Sequence, residues 1–241
     1  MRDRTVLVTG GTGALGGAVV DAFLADGWRV VCTWVVPGER ERMGDREGLE
    51  LVEADLFEEE AVNAAVRQAA VAKDAPLRAV ANLVGGYLEG PLVADMTLEQ
   101  FEGQFRLNLR PTFLVTRAAL PWLVQAGGGG IVCMSARAAE RPFAGAAAYA
   151  SSKAAVKAFA QSVAVEYREE GVRCNAVMPS VIDTPANRAN EPDADHSRWV
   201  KPAELAKVVL FLCSDHSAPV SGAAKTHSGG IKRSSPPTAL T

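Results

Sequence analysis

A tyrosine and a lysine stand four residues apart in Tyr149-Ala150-Ser151-Ser152-Lys153, at the start of a stretch with helical period. On a helix that spacing puts both side chains on one face. A phenol with its ordinary pKa of about 10 is a poor acid–base group at neutral pH. An ammonium beside it stabilises the phenolate and brings its proton within reach of catalysis. Isolated Tyr-x-x-x-Lys pairs also occur as surface pairs. Here the pair follows the fifth strand-like run of the chain, and that position favours chemistry.

A second group of residues is suited to binding. The first strand-like run leads into Thr9-Gly10-Gly11-Thr12-Gly13-Ala14-Leu15-Gly16-Gly17 and then into an apolar helix. Gly10, Gly13 and Gly16 make a Gly-x-x-Gly-x-x-Gly turn, which lets a pyrophosphate approach the backbone while the helix N-terminus favours its charge. Glycine also serves ordinary turns, but placement after the first strand points to a dinucleotide. Asp55, followed by Leu56, lies just past the third strand; it could accept from an adenine amino group or cap the next helix. The second strand ends in Trp34, where an acid would hold a ribose 2′-hydroxyl and a nearby arginine would hold a 2′-phosphate. Arg40 and Arg42 follow, interleaved with Glu39 and Glu41. The missing carboxylate favours NADP, with NAD the alternative.

These residues need a scaffold that brings them to one edge. Strand-like runs at residues 5–9, 29–34, 49–54, 79–84, 130–135, 173–178 and 223–227 alternate with helical stretches at 14–26, 58–71, 98–126, 148–169 and 202–214. Continuous apolar strands are buried on both faces, as in a parallel sheet covered by helices. The alternation predicts a single-domain, Rossmann-like, doubly wound α/β sheet over residues 1–231, with a frayed tail at 232–241. In such a sheet ligands bind beyond the carboxyl ends of the strands.

Composition narrows the function further. The 241 residues are 48% apolar and 22% charged, with 25 basic against 28 acidic side chains. A net charge of -3 argues against nucleic acid or an anionic membrane as main partner. No apolar run reaches the ~18 residues of a membrane span, and the N-terminus does not read as a secretion signal. Four scattered cysteines and three histidines form no metal-binding pattern; reduced core thiols in a cytoplasmic protein are expected.

Together the Thr9–Gly16 turn, Asp55, Asn82-Leu83-Val84-Gly85, Asn108, the Tyr149/Lys153 pair and the segment from Pro179 to Thr184 resemble the short-chain dehydrogenase/reductases over residues 4–230. The resemblance implies a seven-stranded parallel sheet and hydride transfer between NAD(P)(H) and a small-molecule substrate. It makes Tyr149 the proton donor or acceptor, with Lys153 lowering its pKa and binding the nicotinamide ribose. Asn108 would hold a relay water, and Asn82, Val84 and Gly85 would line the cofactor site. Pro179, Val181 and Thr184 would hold the nicotinamide. The helices at 101–123 and 149–167 would pack between subunits of a homodimer or homotetramer. Pro111, inside the first of them, should leave the Leu107 carbonyl unpaired and kink the helix beside Asn108.

Departures from the family pattern carry information of their own. Ala14 replaces the second glycine of the turn, and Pro179-Ser180 replaces Pro-Gly. The family's catalytic serine, thirteen residues before the tyrosine, is Ala136 here. Ser135 or Arg137 could replace its hydroxyl, the substrate could need none, or catalysis could have been lost. The last alternative leaves a dinucleotide-binding sensor or accessory subunit. Locally the chain is similar to the dihydropteridine reductase branch, which also keeps tyrosine and lysine with alanine in the serine position. It shares Gly85-Gly86 followed by an aromatic, Tyr87, which could stack on a flat quinonoid acceptor. Trp34 and Asn108 depart from that branch. The segment 180–200 is expected as a mobile lid, with Arg188 or Trp199 touching substrate.

Overall fold

The computed structural model describes residues 2–227. The expected tail at 232–241 lies outside the described residues. Seven strands make one sheet: β1 (Thr5–Thr9), β2 (Arg29–Trp34), β3 (Leu49–Glu53), β4 (Leu77–Asn82), β5 (Gly129–Met134), β6 (Val172–Pro179) and β7 (Ala224–His227). Their order is β3-β2-β1-β4-β5-β6-β7, and every pairing is parallel. Chain direction across the sheet reverses between β1 and β4, which opens the crevice where α/β sheets take ligands.

The helices are α1 (Ala14–Ala25), α2 (Pro37–Met43), α3 (Glu59–Ala70), α4 (Leu98–Asn108), α5 (Arg110–Gln125), α6 (Ala147–Glu166), α7 (Pro185–Asn190) and α8 (Pro202–Cys213). Strand β1 shows why the runs carry no polar alternation. Leu7 faces the layer built from α3, α5 and α6, whereas Val6 and Val8 face α1 and α8, and all three are buried. Both faces are apolar because both are covered.

Three segments differ from their expected form. The single helix expected at 98–126 is two, because Pro111 in the first turn of α5 offers no N–H to the preceding turn and the chain breaks at Leu109. Upstream, Thr97 and Gln100 close a reciprocal capping box that starts α4. Helix α2 was not expected; Pro37 begins it and turns Glu39 back toward the first βα turn. Residues 180–200, expected as a mobile lid loop, contain α7 and a short 3-10 turn. Their ends are joined by a parallel bridge between Ile182 and Val200, with Val200 N–H donating to the Val181 carbonyl at 2.9 Å.

Candidate active site

The carboxyl ends of the strands frame one cleft of about 1350 Å³. At one end lie Gly10, Thr12, Gly13, Ala14, Leu15 and Gly16, with Trp34, Asp55 and Leu56 beside them. At the other lie Ser135, Ala136, Arg137, Tyr149, Lys153, Pro179 and Val181, and Val84, Gly85 and Tyr87 connect the two. Six expected residues are not on its wall: Arg40, Asn82, Asn108, Thr184, Arg188 and Trp199.

The glycine end is built from backbone. Gly10 has φ +66, a conformation that disfavours any side chain, and accepts the Gly13 N–H at 3.2 Å. A Cβ on Gly16 would sit 2.0 Å from the Gly10 carbonyl oxygen, so the helix can start this close to the turn only with glycine there. Gly13 differs: a Cβ there would meet nothing nearer than 3.5 Å, leaving room toward the cleft. No side chain caps α1, and its first i→i−4 bond runs from Gly17 to Gly13. The N–H groups of Ala14, Leu15 and Gly16 therefore remain available to an anion. Glycines where a Cβ would collide, an uncapped helix and room at Gly13 together fit a pyrophosphate.

Around this turn, Asp55 Oδ1 accepts the Phe57 N–H at 2.9 Å, and the N-cap of α3 is Glu58 rather than Asp55. Asp55 lies on the cleft wall beside the turn. Arg40 is exposed and off the wall. Glu39, read in the sequence only as diluting the arginines, lines the cleft and accepts the Thr12 hydroxyl at 2.8 Å. The available signal was Pro37, a helix-starting residue two positions earlier.

At the other end, Lys153 is 4% exposed and donates from Nζ to the Met134 carbonyl at 2.9 Å. Burial lowers its pKa to about 8. Tyr149 lies against Ala136, and its ring meets that of Tyr87 edge-on at 5.1 Å, with Phe143 beyond. Burial raises the phenol to about 12, and the neighbouring Tyr87 adds to it. In the chain by itself the phenol is thus less acidic than usual, opposite to the direction expected from Lys153. Desolvation by burial is the largest influence on Tyr149 and sets that direction.

Residues read as lining the site act instead from behind it. Asn108 Nδ2 lies within 3.0 Å of the Gly86 carbonyl and of Ser152 Oγ, and Oδ1 accepts the Gly86 N–H at 2.9 Å. Ser152 in turn donates to the Tyr149 carbonyl at 2.8 Å. Asn108 therefore fastens the loop after β4 to the first turn of α6, and its own carbonyl accepts from Thr112. Gly85, φ +154, is threaded between them: a Cβ there would lie 2.5 Å from Asn108 Oδ1 and 2.9 Å from Lys153 Nζ. Asn82 is buried and donates to Thr116 at 2.9 Å, beneath the cleft floor.

Ser135 cannot stand in for the missing hydroxyl, because it donates to the Lys153 carbonyl at 2.7 Å. Strand parity explains this. Ile131 and Cys133 face the layer that includes α6, and Ser135 continues that parity to reach the Lys153 carbonyl, whereas Ala136 clusters with Ala150 beside Tyr149 in the first turn of α6. Thr184 caps α7 by accepting the Asn187 N–H at 3.2 Å. Arg188 forms a two-toothed ion pair with Asp183 on the surface, and Trp199 packs on His196. From that segment Asn187, Asn190 and Glu191 reach the wall instead. Among the described residues no group of His, Cys, Asp and Glu is arranged to hold a metal ion, and no helix is long and apolar enough to cross a membrane.

A family model described as enoyl-(acyl carrier protein) reductase matches residues 11–232. A 2-(R)-hydroxypropyl-CoM dehydrogenase from Xanthobacter autotrophicus is 32% identical over 94% of this chain and 97% of its own length. Among solved structures, a short-chain type dehydrogenase/reductase from Mycobacterium ulcerans superposes with a TM-score of 0.88 at 26% identity, covering 95% of this chain and 90% of its own. ElxO with NADP bound shares the fold, with a TM-score of 0.86 at 23% identity over 93% and 96% of the two chains.

Proposed function

The chain belongs to the short-chain dehydrogenase/reductase family and is an NAD(P)-dependent oxidoreductase, and from that premise we propose that it reduces a carbonyl or quinonoid/imine acceptor, with Tyr149 as its acid–base group. The carrying observation is that Tyr149 and Lys153, both withdrawn from solvent, open onto the same cleft as the glycine turn. The turn and the α1 N-terminus would hold the pyrophosphate, Asp55 the adenine, and Gly85, Pro179 and Val181 the nicotinamide end. When bound, the nicotinamide supplies or takes up the hydride.

A phenol held near 12 keeps its proton at neutral pH, so Tyr149 is poised to donate, which is the direction of reduction. Lys153 is mostly charged below pH 8 and steadies the phenolate as the proton leaves. Asn108 and Ser152 hold the tyrosine's turn of helix in place. With Ala136 opposite and the Ser135 hydroxyl engaged, the acceptor atom would draw on other donors of the cleft wall, such as Arg137 and Tyr87. An acceptor polarised by conjugation needs them less than a simple ketone does.

The phenylalanines of α5 and α6, Phe113 and Phe159, meet edge-on at 6.0 Å with Phe113 exposed, and suit a homodimer or homotetramer interface. The four cysteines are free and buried, as suits a reducing cytoplasm. The test is NADH and NADPH titration by fluorescence, followed by a screen of quinonoid pterins, quinones and ketones. Tyr149→Phe should lower turnover by about 10²- to 10⁴-fold while leaving cofactor binding intact. Tight nucleotide binding with no turnover on any acceptor would instead identify a non-catalytic sensor.

A further inference from the structure

The reading of the glycine end as a dinucleotide site leaves open which nucleotide it takes, and the inference here rests on that reading. The second strand ends in Trp34, which cannot accept a hydroxyl proton. The carboxylate missing from the strand end is nevertheless present in space. Helix α2 starts at Pro37, and the Glu39 N–H closes on the Val36 carbonyl at 2.9 Å. Its side chain then runs back over the glycine turn, where Oε2 accepts the Thr12 hydroxyl at 2.8 Å. The contact fixes the carboxylate between the phosphate-binding turn and the end of β2, the position from which adenosine ribose is read.

The charges around it support one nucleotide only. Arg40 is exposed and does not reach the cleft. Arg42 stands 3.8 Å from Glu39 Oε1 but is 67% exposed, so it compensates the carboxylate weakly. Thr12 has given its only proton to Glu39. An acceptor-only group faces the ribose, and the described arginine that approaches it does so from the solvent side. We infer that Glu39 selects NAD(H) over NADP(H), accepting the 2′-hydroxyl and repelling a 2′-phosphate. The sequence expectation of NADP placed weight on Arg40 and on the empty strand end; the fold supplies the acid five residues later.

Direct binding tests this without turnover. NADH and NADPH are titrated separately into the full chain, with tryptophan fluorescence or calorimetry as readout. The wild type should bind NADH roughly ten- to a hundredfold more tightly than NADPH, the worth of one hydrogen bond to a charged group. Glu39→Gln keeps an oxygen for Thr12 but removes the charge, and should bring the two affinities close to equal. Glu39→Arg should reverse them. Tighter NADPH binding in the wild type, or a ratio unmoved by Glu39→Gln, overturns the inference while leaving the reductase reading in place. Failure of both nucleotides to bind overturns the two together.

Discussion

The two ends of the cleft are made of different materials. The turn at the glycine end consists of main-chain N–H groups and the space left by absent side chains, assembled from seven consecutive residues after β1, Gly10 to Gly16. The tyrosine end consists of buried side chains from α4, α6 and the loop after β4, brought together across more than sixty residues of chain. A backbone site tolerates surface variation but no added atom at its contact points. A side-chain site tolerates small changes of shape, but its proton affinities depend on every group that excludes water from it.

Substitution should separate the two. The largest effect is expected at Gly16, where a methyl would lie 2.0 Å from the Gly10 carbonyl oxygen. Gly16→Ala should lose about 3 kcal/mol or more of stability, together with nucleotide binding, as read by thermal melts and titration. Gly13→Ala, with nothing nearer than 3.5 Å, should melt close to wild type and weaken the nucleotide alone. Equal losses for the two would mean that the turn is a plastic loop rather than a fitted cradle.

A change of pH probes the other end. Lys153 falls from 10.5 to about 8 on burial, so between those values the unfolded chain binds the proton that the folded chain has released. Stability of the wild type should therefore rise with pH across that window, by roughly 3 kcal/mol at most. Tyr149, raised from 10 to about 12, acts oppositely, and its contribution is lost as pH climbs from 10 to 12. Lys153→Met should be the more stable protein at pH 7, lack the rise above pH 8, and be inactive. A rise that survives the substitution would assign the buried ammonium's cost to another group. The smallest effect belongs to Arg188, engaged by Asp183 on the surface: Arg188→Ala should leave kcat/KM unchanged, and a raised KM would return it to the substrate's side of the segment.

Legibility follows the same division. Strands β1 and β2 fall on the residues expected, because their apolar runs are local and both faces are covered. The break beside Asn108 was readable in Pro111, since a missing N–H acts within one turn. Asn108, expected to hold a relay water, and Thr184, expected at the nicotinamide, both lie off the cleft wall and hydrogen-bond protein groups. Nothing in their neighbourhood along the chain says that Gly86 or the Asn187 N–H will lie within 3 or so ångströms of them. Glu39 was passed over for the same reason, because its importance comes from Thr12, twenty-seven residues away.

From the amino acids alone came the α/β alternation, the glycine turn and the Tyr149/Lys153 pair, for these depend on spacing within a few residues. Only the folded chain decided which carboxylate meets Thr12 at the glycine turn, that the Ser135 hydroxyl is engaged by the Lys153 carbonyl while Ala136 lies by the tyrosine, and that burial raises the phenol. Those are consequences of burial and of contacts between distant segments, and neither property is carried by any one stretch of sequence.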